Sequence, residues 1–102
     1  MNFFLENDKD KNVRRPIAKE CNVDWIVKNL KKKKNQKKAR ALLRKLLSDE
    51  DYIIRNTTFD KIEKILDIDN KFGIEIVKNI IKNEKEEVLK QRVKLIYERI
   101  SV

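Results

Sequence analysis

Histidine is missing from the chain altogether. That removes the side chain that most often serves as a general base near neutral pH and most often ligates metals. Cysteine occurs once, at Cys21. A lone cysteine closes no intrachain disulfide and builds no multi-cysteine zinc site. It reads as a small apolar core residue rather than a nucleophile, and it fits a reducing, cytoplasmic location. Glycine and proline also occur once each, Gly73 and Pro16. Sheet proteins draw heavily on both residues for tight turns. Their scarcity argues for helices joined by short polar connections. No apolar run approaches the roughly 18–20 residues that span a bilayer. Residues Met1 to Leu5 are too short an apolar run for a signal peptide and lack a basic start.

What the chain does have is charge. Of its 102 residues 42% are charged and 40% hydrophobic, with a formal net charge of +9. The large aliphatic residues argue against disorder, and the length suits one domain with a modest core. The apolar residues recur with a helical period. Ala39, Leu42, Leu43, Leu46 and Leu47 mark one face of a helix over Gln36–Leu47. Ser48 to Asp51 resembles a capping-box start for a helix over Glu50–Leu66, with Ile54, Thr58, Ile62, Ile65 and Leu66 inward and Phe59 beside them. Asp67 to Asn70 is a connector rich in capping residues. A helix over Lys71–Lys82 follows, with Phe72, Ile76, Val77, Ile80 and Ile81 inward and Gly73 in its first turn. Asn83 opens the last helix, with Glu86 three residues on and a stripe of Leu89, Val93, Ile96, Tyr97 and Ile100.

The first third is less regular. Pro16 suits a helix's first turn, in a helix carrying Ile17, Ala18 and Cys21. Asn22 and Asp24 can cap another, which holds Trp25, Ile26 and Leu30. Lys31 to Lys38 contains no apolar residue and reads as a loop or a helix junction. The expected fold class is therefore all-α, with five to six helices in a single domain over 1–102. Its parts are an N-terminal half-unit at 1–21, a helix and basic linker at 22–35, and two helix pairs at 36–67 and 68–102.

An internal repeat runs through this plan. Asp8, Asp10, Val13 and Arg14 align with Asp49, Asp51, Ile54 and Arg55 at an offset of 41 residues. A third copy begins at Asn83, with Val88 in the Val13 and Ile54 position at an offset of 34. An acidic turn, a β-branched residue and an arginine opening a second helix resemble the HEAT (armadillo-type) helical repeats. The resemblance implies a short right-handed stack of antiparallel helix pairs. It also implies that Asp10 with Arg14, and Asp51 with Arg55, tie neighbouring repeats together. The third copy departs from the pattern, with Lys85 and Leu89 in those two places. The competing reading is an unrelated bundle of five or six helices whose acidic helix starts coincide.

Catalytic signatures are missing. There is no Ser-His-Asp set, no HExxH, no CxxC and no phosphate-binding glycine loop. Asp67 and Asp69 lack the loop and glycine of an EF-hand and read as helix caps. Glu84, Glu86 and Glu87 read as a solvated first turn favoured by the helix dipole. The expectation is a non-enzyme without metal or cofactor.

One segment exceeds background. Lys28, Lys31, Lys32, Lys33, Lys34, Lys37, Lys38, Arg40, Arg44 and Lys45 are ten bases in a stretch without an acid. The residues from Lys37 onward fall off the leucine face and are expected to form one continuous basic surface. Such a surface attracts DNA or RNA through salt-dependent phosphate contacts. Trp25 shares a stripe with Ile26 and Leu30, so it reads as core rather than as a base-stacking platform. Two other readings stand beside nucleic-acid binding: a protein-interaction scaffold using a concave repeat surface, and a lysine-rich face serving solubility alone. An unpaired terminal helix would also expose an apolar face for self-association. A membrane role is not expected, because the core needs the leucine face of the basic helix.

Overall fold

A computed structural model describes residues 23–100, and all of its regular structure is helical. The helices are α1 (Val23–Leu30), α2 (Gln36–Leu47), α3 (Tyr52–Phe59), α4 (Ile62–Ile68), α5 (Asn70–Asn83) and α6 (Glu87–Ile100). The expected roles of Pro16, Ile17, Ala18, Cys21, Asp10 and Arg14 lie outside the described residues. None of the described helices is long and apolar enough to cross a membrane.

The faces read from periodicity turn toward the core, although Leu47, Ile81, Ile96, Tyr97 and Ile100 are only partly buried. Ala39, Leu42, Leu43 and Leu46 of α2 meet Val23, Ile26 and Leu30 of α1 in one core. Ile54, Phe59, Ile62, Ile65, Leu66, Phe72, Ile76, Val77, Ile80, Leu89 and Val93 complete it. Trp25 packs half-buried against it. Along the chain α1 packs on α2, α2 on α3, α4 on α5 and α5 on α6, while α1 also reaches α4.

Three boundaries differ from the expectation. First, the helix expected over Glu50–Leu66 starts later and is broken in two. Asp51, not Ser48, is its N-cap, accepting from the Ile53 N–H at 3.3 Å, and Ser48 closes α2. The break falls at Asp60 and Lys61, whose N–H groups reach back only three residues, to Thr57 and Thr58. The Thr58 hydroxyl donates to the Ile54 carbonyl at 2.7 Å, and a hydroxyl bonded in this way bends a helix. The bend turns α4 toward α1 and α5.

Second, the connector expected over Asp67 to Asn70 shrinks to one residue. Asp69 ends α4, and its carboxylate accepts from the Phe72 N–H at 3.4 Å to open α5. So tight a joint presses α4 on α5. A methyl group on Gly73 would stand 3.1 Å from Leu66 Cα and 2.6 Å from Leu66 Cδ2, so the missing Cβ is what admits the contact.

Third, Asn83 ends α5 instead of opening the last helix. Glu84 marks the new start, accepting from the Glu86 N–H at 3.0 Å. Asp49 makes the same bond to the Asp51 N–H at 2.8 Å, ahead of α3. The two turns therefore correspond at an offset of 35 residues, not 34. Leu89 takes the place of Ile54, both fully buried, and Val88 is 64% exposed. Burial of the inward face sets the register, and a β-branched residue at Val88 does not.

Candidate nucleic-acid interface

The basic segment is built around a buried amide. Asn29 is only 4% exposed. Its Nδ2 donates to the Trp25 carbonyl at 2.8 Å, and its Oδ1 accepts from Asn35 Nδ2 at 2.7 Å. Gln36 Nε2 donates to the Leu30 carbonyl at 3.3 Å, which covers an orphan acceptor at the end of α1. Backbone bonds from Lys32 N–H to the Asn29 carbonyl and from Asn35 N–H to the Lys32 carbonyl close the turn. Lys31, Lys32, Lys33 and Lys34 project from this turn and are all exposed. The Lys31–Lys38 run is therefore a turn over its first part and helix from Gln36 onward.

Lys28 is exposed in the last turn of α1, Lys37 and Lys38 in the first turn of α2, and Lys45 in its last. Arg40 and Arg44 behave differently. Arg40 Nε donates to Asp69 Oδ2 at 3.0 Å, and Arg44 Nη2 donates to Glu75 Oε1 at 3.2 Å. Both guanidinium groups lie over the Phe72 ring, 5.3 and 5.0 Å from its centre, within cation–π range. The continuous basic surface expected along α2 is interrupted on this flank: the two arginines reach across to the α4–α5 joint and α5.

Asp51 and Arg55 sit at the α2–α3 turn. Asp51 is buried as the α3 cap. Arg55 grips Glu84 with both arms, Nε to Oε1 and Nη2 to Oε2, each at 2.9 Å. Its Nη1 donates to the carbonyls of Asp49 at 2.8 Å and Glu50 at 3.1 Å. The side chains are 15% and 4% exposed. Glu84 is thus not the solvated first-turn residue expected of it. Burial by itself would raise its carboxyl pKa. The Arg55 hydrogen bond, the Glu86 N–H and the nearby positive charge outweigh burial and hold it below the usual value. The same hydrogen bond raises Arg55, against the effect of its burial. In the register of the folded chain Glu84 stands where Asp49 stands in the preceding turn, whereas at the offset of 34 read from the sequence it falls on Glu50.

A cleft of about 660 Å³ opens between these two turns, lined by Leu47, Ile76 and Ile80 together with the Arg55–Glu84 pair. No cluster of three or more metal-ligating side chains occurs among the described residues. No family model, no curated protein and no solved structure matches this chain.

Proposed function

We propose that the chain is a non-enzymatic, cytoplasmic helical module of HEAT-like build that binds nucleic acid through its lysine surface. The observation that carries this reading is the state of the lysines. Lys28, Lys31, Lys32, Lys33, Lys34, Lys37, Lys38 and Lys45 are all exposed. None of them forms an ion pair with another described residue, and the ion pairs that join two described residues use arginine. Eight solvated cations in one neighbourhood form a surface that gains by releasing counterions from phosphates.

The HEAT-like build is supported by spacing. Arg40 to Asp69, Arg44 to Glu75 and Arg55 to Glu84 join residues 29, 31 and 29 apart. Arg92 to Asp60 and Arg99 to Glu63 join residues 32 and 36 apart. Such ties join helices two or three apart along the chain, as the stacking of one helix pair on the next does. The non-enzymatic reading rests on the sequence, which carries no catalytic signature; in the cleft, Glu84 is held by Arg55.

Binding to duplex DNA and structured RNA across a salt series tests the proposal. Affinity should fall steeply as salt rises, and substituting Lys31, Lys32, Lys33 and Lys34 with glutamate should abolish it without loss of helicity. Binding indifferent to salt contradicts it. The cleft favours a second reading, a protein-interaction scaffold. In pull-downs, loss of every partner after nuclease treatment counts against that alternative.

A further inference from the structure

We propose that the α1–α2 lysine turn, continued by Lys38 and Lys45, is a preorganised seat for the paired phosphate backbone of a double helix, and that Arg40 and Arg44 are not part of it. This rests on the nucleic-acid reading above and narrows it to a ligand class.

The turn is fixed before any ligand arrives. A run of four lysines repels itself and tends to extend. Here the buried Asn29 amide, Asn35 and Gln36 hold the backbone beneath the lysines in one closed shape. Ordering that is already present is not charged against binding. Asn35 is therefore a positioning residue: it touches no ligand and acts through the shape of the turn.

The charge then runs along one side of α2. Lys38 and Lys45 are seven residues apart, on one flank of the helix and about 10 Å apart along its axis. Arg40 and Arg44 lie on the opposite flank, occupied by Asp69, Glu75 and Phe72. Lysine meets phosphate as a hydrated point charge, whereas the Arg40 fork is engaged by the half-buried Asp69 and Arg44 rests on Phe72 with a single exposed contact to Glu75.

The remaining chemistry selects a duplex. Single-strand sites depend on aromatic platforms for the bases. Among the described residues Phe59 and Phe72 are buried, and Trp25, Tyr52 and Tyr97 pack on the core. Base edges are read mainly by amide and guanidinium forks, with lysine contributing only at guanine. At this surface the amides of Asn29, Asn35 and Gln36 are engaged within the protein. What remains is phosphate contact, and a double helix offers the densest array of it, about one charge per 1.7 Å of axis.

Fluorescence anisotropy on the full chain tests this, using duplex DNA, duplex RNA of the same sequence and the single strands at equal phosphate number, over a salt series. Helicity of each variant is checked by circular dichroism. Duplexes should bind at least ~10-fold tighter than single strands, since no fully exposed aromatic among the described residues offers a stacking platform. Scrambling the duplex sequence should change Kd by less than ~3-fold. Replacing Lys31, Lys32, Lys33 and Lys34 with alanine should lower the salt slope by about 3. Arg44→Gln should leave Kd within ~2-fold. Asn35→Ala should weaken binding while leaving the salt slope unchanged, because the same phosphates are still contacted. Binding to either duplex alone upholds the proposal and identifies the form. Single strands binding as tightly as duplexes overturn the duplex assignment and leave the nucleic-acid reading standing. Binding to none of these probes overturns both.

Discussion

Two groups of positive charge in this molecule meet opposite fates. In the α1–α2 turn the lysines stand in solvent without acids. In the α2–α3 turn Arg55 is gripped by Glu84 and two carbonyls. The contrast extends across the described residues: Arg40, Arg44, Arg55, Arg92 and Arg99 each hold a carboxylate, and no lysine does. Arg40, Arg44, Arg55 and Arg92 also lie over aromatic rings. The difference follows from side-chain geometry. A planar fork can meet a carboxylate and a ring at once, while an ammonium is better hydrated than paired. Arginine joins helix to helix here, and lysine dresses the surface, so net charge alone misstates what is available to a ligand.

The largest expected break in this contrast is Arg55→Ala. It leaves the buried Glu84 carboxylate and the carbonyls of Asp49 and Glu50 without their donor, and should cost about 3 kcal/mol in urea unfolding. Arg55→Lys should recover less than half of that loss. Full recovery would mean that charge rather than the fork does the joining.

The next effect appears in acid. The carboxyl pKa of Glu84 is lowered from its ordinary 4.5 in the folded chain, so the ionised pair stabilises the fold at neutral pH. That contribution should fade as pH drops below the ordinary value and through the lowered one. A Glu84→Gln variant should be less stable at pH 7 and should lose less of its stability between pH 5 and pH 2 than the parent chain. Urea midpoints across that range give the comparison.

Smaller again is Arg92→Lys. Arg92 donates to the Asn56 side chain and to Asp60 Oδ1 at 2.8 Å, over the Phe59 ring. Its pair with Asp60 is well exposed, so the loss should be about 0.5–1 kcal/mol. The smallest effect belongs to the lysine turn. Alanine at Lys31, Lys32, Lys33 and Lys34 together should shift stability by less than ~0.5 kcal/mol. A large loss would show that these lysines are structural after all.

Periodicity made much of the fold legible. The α2 bounds and the inward residues of α2, α5 and α6 follow from apolar spacing, because a helix face must be buried to be stable. The break between α3 and α4 was not legible, since Ile54, Thr58, Ile62, Ile65 and Leu66 continue one helical stripe across it. The Thr58 hydroxyl bonds back to the Ile54 carbonyl just before the break, and a pattern of apolar residues does not reveal that partner. The Asn83 boundary failed for a related reason: asparagine caps helices, but here Glu84 supplies the side chain that opens the next one. At the candidate interface the position of the lysines was legible and their freedom from acids was not. Asp69 and Glu75 lie 29 and 31 residues from Arg40 and Arg44, and only the folded chain brings these side chains together. Asn29, which shapes the lysine turn, carried no sequence signal beyond an amide among apolar neighbours.

The most direct test of this division between joining arginines and ligand-facing lysines is a backbone amide NMR titration of the chain with a short nucleic-acid duplex at low salt. The account predicts shifts concentrated from Lys28 to Lys38 and at Lys45, with Arg55, Glu84 and the cleft lining at Leu47, Ile76 and Ile80 unmoved. Shifts centred on that cleft, or none anywhere, would contradict it.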